Sequence, residues 1–150
     1  MLNDDYKEML QLLLEEDARF LVVGAYALGA HGYPRATGDI DIWVEPALQN
    51  AQKVMRALNR FGAPLFDVTD QDFAKKGTIF QIGVVPRRID IITAIDGVEF
   101  PGAYARREKT TVGELEIPVL SFQDLITNKE RTGREKDMLD VKMLKKMSGV

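Results

Sequence analysis

The sequence contains no cysteine and a single histidine, His31. The absence of thiols excludes a disulfide framework, a thiolate nucleophile and a zinc–thiolate site, and it is compatible with a reducing cytoplasm. Serine–histidine catalysis would depend entirely on His31. This residue lies in the loop before a pair of aspartates, and we expect it to form a hydrogen bond or to pack the loop.

Long apolar runs and a basic excess are also missing. No run approaches the ~20 residues that span a bilayer, and the first residues do not read as a signal peptide, so we expect no membrane association and a cytoplasmic location. With 45% hydrophobic and 29% charged residues the composition is that of a soluble globular protein. A net charge of −3 disfavours broad nucleic-acid binding. We expect one domain over residues 1–150, without repeats or linkers.

Two aspartates alternate with apolar residues in the stretch that reads DIDIWV. Successive side chains of a strand point to opposite faces, so Asp39 and Asp41 share one face while Ile40 and Ile42 share the other. Burying two like charges beside a core is unfavourable unless they are paired or bind a metal. The pattern therefore predicts a divalent cation at Asp39 and Asp41.

Two further features accompany this pair. Gly24 separates an apolar strand from a short helix predicted over residues 25–30, and a helix N-terminus that follows a glycine can receive an anion. That signal is weak alone, because such glycines are often steric. Asp90 lies between Ile89 and Ile91 in a later strand and repeats the pattern of the first pair.

The rest of the chain alternates helical and strand patterns. We predict helices from Asn3, from Pro46 to Gly62, after Thr69 and near residues 100–107, strands at 19–23, 39–44, 78–84 and 88–93, and two edge segments within residues 109–119 that turn at Gly113. Pro118 suggests the edge position. Two terminal helices follow, each with a capping-box pattern, Ser121 with Asp124 and Thr132 with Glu135.

A cluster of charged residues lies between the two terminal helices. From its spacing alone, a solvated face or a set of helix-end salt bridges is the favoured interpretation. Its members are Lys129, Arg131, Arg134, Lys136, Asp137 and Asp140.

Three carboxylates from two strands beside a glycine turn are suited to metal-assisted phosphoryl or nucleotidyl transfer. Asp39 and Asp41 would hold magnesium, Asp90 would complete the site near the acceptor, and Gly24 would receive the phosphates. The sequence lacks a P-loop and the dinucleotide fingerprint. Two carboxylates on one strand face also cannot flank a sugar from opposite sides, as glycosidases require.

These residues carry a resemblance to a known superfamily. Gly24-Ala25, Arg35, Thr37, Asp39-Ile40-Asp41 and Ile89-Asp90-Ile91 resemble the signature of nucleotidyltransferases of the DNA polymerase β type. The strings VGAYA, RATGDID and KERTGREKDMLD look like the small bacterial nucleotidyltransferases that include the AbiEii-type toxins. Together the motifs span residues 23–144.

The resemblance implies an α/β (α+β) fold with a short mixed sheet flanked by helices and a helical C-terminus. It implies transfer of a nucleoside monophosphate from a nucleoside triphosphate such as ATP to an acceptor hydroxyl, with pyrophosphate release and with Mg²⁺ or Mn²⁺ as cofactor at Asp39, Asp41 and Asp90. The acceptor is open between a small molecule, a transfer-RNA end and a protein.

The resemblance also assigns roles outside the three carboxylates. Lys129 matches a catalytic or nucleotide-contacting lysine, and the matching positions that would bind nucleotide are Gly24, Ala25, Arg35, Thr37, Arg134 and Asp137. Ala25 stands where the signature has glycine or serine, so a serine hydroxyl is absent while the backbone N–H remains.

Two alternatives stay open from the sequence. The chain could be a catalytically silent nucleotide-binding or protein-binding module, such as one component of a toxin–antitoxin pair, and it could act as a homodimer or with a cognate partner protein. Trp43 has the parity of the two aspartates and could stack on a base or acceptor, although a core-packing role is favoured.

Overall fold

The computed structural model describes residues 3–33, 38–84 and 87–149. Within these ranges the chain forms seven helices and six strands. The helices are α1 (Asp4–Glu15), α2 (Gly24–Ala30), α3 (Leu48–Phe61), α4 (Asp70–Phe73), α5 (Phe100–Ala105), α6 (Phe122–Thr132) and α7 (Glu135–Met147). The strands are β1 (Phe20–Val23), β2 (Ile40–Val44), β3 (Ile79–Ile82), β4 (Ile89–Ile92), β5 (Glu108–Val112) and β6 (Leu115–Val119).

The strands form one mixed sheet in the order β3-β4-β2-β1-β6-β5. β2 lies parallel to β4 and antiparallel to β1, and β1 lies parallel to β6. The hairpins β3–β4 and β5–β6 form the two ends. The predicted α/β class with a short mixed sheet and a helical C-terminus is confirmed.

Apolar side chains cover both faces of this sheet. One face packs against α1 and α3, because Ile40, Ile42 and Val44 share a cluster with buried residues of those helices. The opposite face packs against α2, α5, α6 and α7, and Trp43 belongs to that second cluster. The alternation along β2 thus directs its odd-numbered residues, including Asp41, toward the side of the terminal helices.

Local signals fix several helix ends as the sequence predicts. The side chain of Asn3 accepts a hydrogen bond from the backbone N–H of Tyr6 at 2.9 Å and caps α1. Gly62 ends α3 with a φ of +86°. A capping box between Thr69 and Asp72 starts α4.

Three local predictions are wrong. α3 begins at Leu48 with Ala47 as its cap, so Pro46 precedes the helix. β6 is an inner strand, and Pro118 is tolerated because the pairing with β1 begins only at the next residue, where Val119 is the partner of Val22. Thr132 ends α6 and Arg134 caps α7, so Thr132 and Glu135 form no capping box.

Candidate active site

Three strands place the predicted carboxylates together. Val23 of β1 is the register partner of Asp41 on β2, and Asp41 is the register partner of Asp90 on β4. Asp39 precedes β2 by one residue and has the same parity as Asp41. The polar interactions of Asp41 include both Asp90 and Asp39. The three aspartates predicted from the sequence therefore form one cluster.

Asp41 is harder to ionise than an ordinary aspartate. Burial, the adjacent charge of Asp90, a hydrogen bond with Asp90 and the charge of Asp39 raise the pKa of Asp41 to about 6, against the lowering effect of Arg88. Neighbouring carboxylates repel each other when ionised, and a nearby cation relieves this repulsion. The cluster is thus electrostatically suited to receive positive charge.

Arg88 supplies one positive charge to the cluster. Its Nε and Nη2 atoms donate to Oδ1 and Oδ2 of Asp90 at 2.7 and 3.1 Å. Its Nη2 lies 3.3 Å from Oδ2 of Asp39, and its backbone N–H donates to Oδ1 of Asp39 at 3.2 Å. The hydrogen bonds to Asp90 raise the pKa of Arg88. Arg88 thereby joins two of the three aspartates.

Sequence reasoning missed Arg88. The signal was present, because Arg88 lies two residues before Asp90 and therefore shares its strand face. A carboxylate pattern does not by itself indicate that a basic residue of the same parity belongs to the site.

Gly24 begins α2 directly beside Asp41. Gly24 has a φ of +69°, and a Cβ at this position would collide with Oδ2 of Asp41. Only glycine therefore allows β1 to turn into α2 while the carboxylate lies against the backbone. Ala25 follows in the first turn, as predicted.

Tyr26, also in the first turn of α2, lies close enough to the cluster to be influenced by it. Burial and the negative charge of Asp39 raise the pKa of Tyr26. Its ring packs edge-on against Tyr6 at a centroid distance of 5.8 Å. The hydroxyl of Tyr6 in turn donates to the carbonyl of Gly38, next to Asp39. These two tyrosines support the backbone that carries the first aspartate.

Lys129 lies in a second polar cluster, between α6 and α7. Its Nζ atom is 3.1 Å from Oδ1 of Asp137 and 3.0 Å from Oδ2 of Asp140. Lys129, Asp137 and Asp140 are 8%, 3% and 1% exposed. Thr132 and Arg134 donate to Oδ2 of Asp137 at 2.6 and 2.7 Å. The helix-end salt bridges expected from the spacing are present, but the core of the cluster is buried and does not form a solvated face.

Asp137 is stabilised as an anion within this second cluster. Burial alone would raise its pKa, but hydrogen bonds from Thr132, Arg134 and Lys129 lower the pKa of Asp137 to about 2. The structure thus brings Lys129, Arg134 and Asp137 together, as the resemblance grouped them. Arg35 and Thr37 lie outside the described residues.

A cavity of about 510 Å³ opens beyond Trp43. Its wall includes Trp43, Val98, Phe100 and Pro101, and Glu45 and Lys76 add charge. Trp43 is 1% exposed and packs edge-on against Phe100 at 5.1 Å, so the packing role expected for it is confirmed. The indole N–H of Trp43 has no hydrogen-bond partner among the described residues.

His31 takes the hydrogen-bonding role expected for it. Its Nε2 lies 2.7 Å from the carbonyl oxygen of Leu120, and its ring packs edge-on against Phe122 at 5.6 Å. His31 therefore ties the end of α2 to the start of α6.

Within the described ranges, no helix is both long and apolar enough to cross a membrane.

Solved structures similar to this chain share its fold along nearly its whole length. TM1012 from Thermotoga maritima, a provisionally assigned nucleotidyltransferase, has a TM-score of 0.62 and 16% identity over 95% of this chain and 94% of its own. The lincosamide antibiotic adenylyltransferase LnuA, bound to lincomycin, has a TM-score of 0.63 and 16% identity over 97% of both chains. The antibiotic-resistance factor ANT(2'')-Ia has a TM-score of 0.64 and 13% identity over 95% of this chain and 82% of its own.

At the level of sequence, neither a protein-family profile nor a curated protein matches the chain. The three structural similarities, at 13–16% identity, establish the fold. The chain adopts a nucleotidyltransferase fold, and the fold predicted from its motifs is confirmed.

Proposed function

We propose that this protein is a metal-dependent nucleotidyltransferase. It would move a nucleoside monophosphate from a nucleoside triphosphate to an acceptor hydroxyl and release pyrophosphate. The observation that supports this most directly is the cluster of Asp39, Asp41 and Asp90 beside the Gly24 turn, in a chain whose fold is that of nucleotidyltransferases. The finer resemblance to AbiEii-type toxins, and a homodimer or partner protein, stay predictions.

The donor chemistry of the cluster fits Mg²⁺ or Mn²⁺. These ions prefer carboxylate, phosphate and water oxygens, and Asp39, Asp41 and Asp90 would hold them. Burial, followed by the charge of the neighbouring Asp90, raises the pKa of Asp41. Among the described residues, no three acidic, histidine or cysteine side chains are arranged to hold a metal ion. Arg88 forms ion pairs with two of the aspartates, Asp39 and Asp90. Binding of a metal ion by the three aspartates would therefore require Arg88 to move.

The metal would neutralise negative charge on the triphosphate, and the residues of the chain would orient the reaction. The backbone N–H groups at Gly24 and Ala25 would meet phosphate oxygens. The acceptor oxygen would form its bond to the α-phosphorus while the bond to pyrophosphate breaks. Asp90 would take the proton of the acceptor hydroxyl.

Lys129 has a more specific role in this proposal than the resemblance alone implies. Its ammonium group is committed to Asp137 and Asp140. Moving Lys129 away would leave two buried carboxylates without their cation, which is costly. We therefore assign Lys129 and Asp137 to fixing the α6–α7 corner. A nucleotide contact from this cluster would come most readily from Arg134, whose side chain is 75% exposed.

The cavity beyond Trp43 favours a small molecule as the acceptor. Its volume of about 510 Å³ falls in the range of about 300–1,000 Å³ that is typical of small-molecule sites. Trp43 lies two residues beyond Asp41 on the same face of β2, a separation of about 6.6 Å along the strand. None of the three aspartates lines the cavity, so an acceptor bound there would have to extend past Trp43 to reach the carboxylate cluster.

The experiment combines pyrophosphate release with product labelling. The protein is incubated with each of four α-labelled nucleoside triphosphates, Mg²⁺ and a cell extract, and both pyrophosphate and labelled products are measured. Asp41→Asn and Asp90→Asn should abolish both signals. Asp67→Asn removes an exposed carboxylate outside the cluster and should behave like the wild type.

Two results would contradict the proposal. Pyrophosphate release that survives Asp41→Asn or Asp90→Asn would show that the cluster is not the active site. Magnesium-dependent triphosphate binding without any product would instead favour the catalytically silent module.

A further inference from the structure

The contacts of Arg88 occupy the same oxygens that a metal would use. Both oxygens of Asp90 accept from its guanidinium, at 2.7 and 3.1 Å, and one oxygen of Asp39 lies 3.3 Å away. Asp90 is only 7% exposed, so its charge is expensive to bury without this partner. Without a metal, Arg88 therefore neutralises the negative charge of these aspartates, as a divalent cation would.

A guanidinium and a divalent cation cannot share these oxygens without repulsion. A divalent cation about 5 Å from the guanidinium of Arg88 would be repelled by it. Even at the dielectric constant of water, this repulsion is enough to weaken metal binding about tenfold. The repulsion is larger where the surroundings exclude water. Metal binding should therefore be coupled to the departure of Arg88.

Arg88 has room to leave. Its side chain is 26% exposed, whereas that of Asp90 is 10% exposed, so the guanidinium lies on the solvent side of the pair. An arginine fork suits phosphate oxygens as well as carboxylate oxygens. A triphosphate brought in with the metal would offer the displaced guanidinium a new anionic partner.

We propose that Arg88 is a displaceable counter-ion of the carboxylate cluster. It holds Asp39 and Asp90 together while no metal is bound, and it is displaced by a divalent cation and turns to the triphosphate. This inference rests on the proposed function in one respect, that the three aspartates bind a metal. The displacement of Arg88 by the metal is an additional step that the proposed function does not include.

The test is the affinity for Mn²⁺ alone, measured without nucleotide. Free Mn²⁺ is quantified by electron paramagnetic resonance, and the fluorescence of Trp43, the one tryptophan of the chain, reports binding close to Asp41. Arg88→Gln should bind Mn²⁺ about tenfold more tightly than the wild type because it lacks the competing charge. Arg88→Lys keeps the charge without the fork, and its affinity should lie nearer to the wild type.

Arg87→Gln is the matched control, since it removes the neighbouring exposed arginine, and its Mn²⁺ affinity should equal that of the wild type. Thermal melting checks the fold: Arg88→Gln should melt at a lower temperature without metal and should recover the difference in saturating Mn²⁺.

An Arg88→Gln protein that is folded and binds Mn²⁺ no more tightly than the wild type would overturn the inference. If the wild type also releases pyrophosphate, the proposed function survives that result. If neither the wild type nor any variant binds Mn²⁺, both proposals fail together.

Discussion

Arg88 donates two hydrogen bonds to Asp90, two residues further along the same strand face. A bidentate arginine–carboxylate pair is among the stronger polar contacts in proteins. Here it compensates a carboxylate that is 7% exposed and that adjoins two others. The pair therefore links the stability of the metal-free protein to the chemistry of the candidate active site.

Removing only the cation of this pair should destabilise the metal-free protein. Arg88→Ala leaves Asp90 buried without its partner, a loss worth about 3–5 kcal/mol for a fully buried pair. Because Arg88 is partly exposed and screened by solvent, we expect a smaller decrease in the free energy of unfolding than for a fully buried pair, measured by urea denaturation.

The double variant Arg88→Ala with Asp90→Asn removes the unpaired charge and should recover part of that loss. Equal losses in the single and double variants would show that the pair does not compensate Asp90.

Gly24 offers a test of the close approach to Asp41. In Gly24→Ala the new methyl group meets Oδ2 of Asp41, in addition to the strain of a positive φ. Gly62→Ala is the matched control, because Gly62 also has a positive φ but no atom lies within 4 Å of the added Cβ. Backbone strain should lower the free energy of unfolding by about 1 kcal/mol in both variants.

The excess loss in Gly24→Ala measures the contact with Asp41. We expect it to be accompanied by weaker Mn²⁺ binding, which Gly62→Ala should not show. Identical stability and Mn²⁺ affinity in the two variants would exclude the close approach.

The alternation of residues along a strand predicted which side chains share a face. It did not predict which residues lie next to each other on neighbouring strands. Asp39, Asp41 and Asp90 could be identified because the parity of a strand is a local property. Their proximity depends on the register of β2 with β4, which is set by contacts distant in the chain. For the same reason β6, whose proline suggests an edge, lies inside the sheet.

Burial was the second property that local patterns did not provide. The spacing of Lys129, Asp137 and Asp140 is that of exposed helix charges, and their burial follows only when α6 and α7 pack against the sheet. Sequence motifs grouped these residues, whereas their geometry shows that the group is an internal ion cluster.

Lys129 should matter more to stability than a surface lysine does. Lys129→Met leaves the buried carboxylates of Asp137 and Asp140 without their shared cation, and breaking such a pair costs about 3–5 kcal/mol. Lys145→Met removes a surface pair with Glu130 at 3.2 Å and should cost less than about 1 kcal/mol. Urea denaturation of the two variants compares these losses, and similar values would refute the structural role assigned to Lys129.

The cavity beyond Trp43 gives a separate test of the acceptor. Ala94→Phe places a large side chain in its wall and should reduce labelling of a small-molecule acceptor while triphosphate binding is unchanged. Ala105→Phe adds the same bulk at an exposed position of α5 outside the cavity wall and serves as the control. Labelling that is unaffected by Ala94→Phe would place the acceptor elsewhere.

The lowered pKa of Asp137 predicts how the stability of the protein depends on pH. Its pKa is lowered to about 2 in the folded protein from 3.8, so ionised Asp137 stabilises the fold at pH values above about 4. A difference of this size corresponds to about 2 kcal/mol, and the contribution is lost as the pH falls from about 4 to about 2.

Asp137→Asn should remove this dependence. The difference in free energy of unfolding between the wild type and the variant, measured by urea denaturation at several pH values, should be constant from pH 5 to 7. It should then shrink as the pH falls toward 2, because protonated Asp137 no longer benefits from Thr132, Arg134 and Lys129. A difference that does not change between pH 5 and pH 2 would mean that these donors do not stabilise the ionised carboxylate.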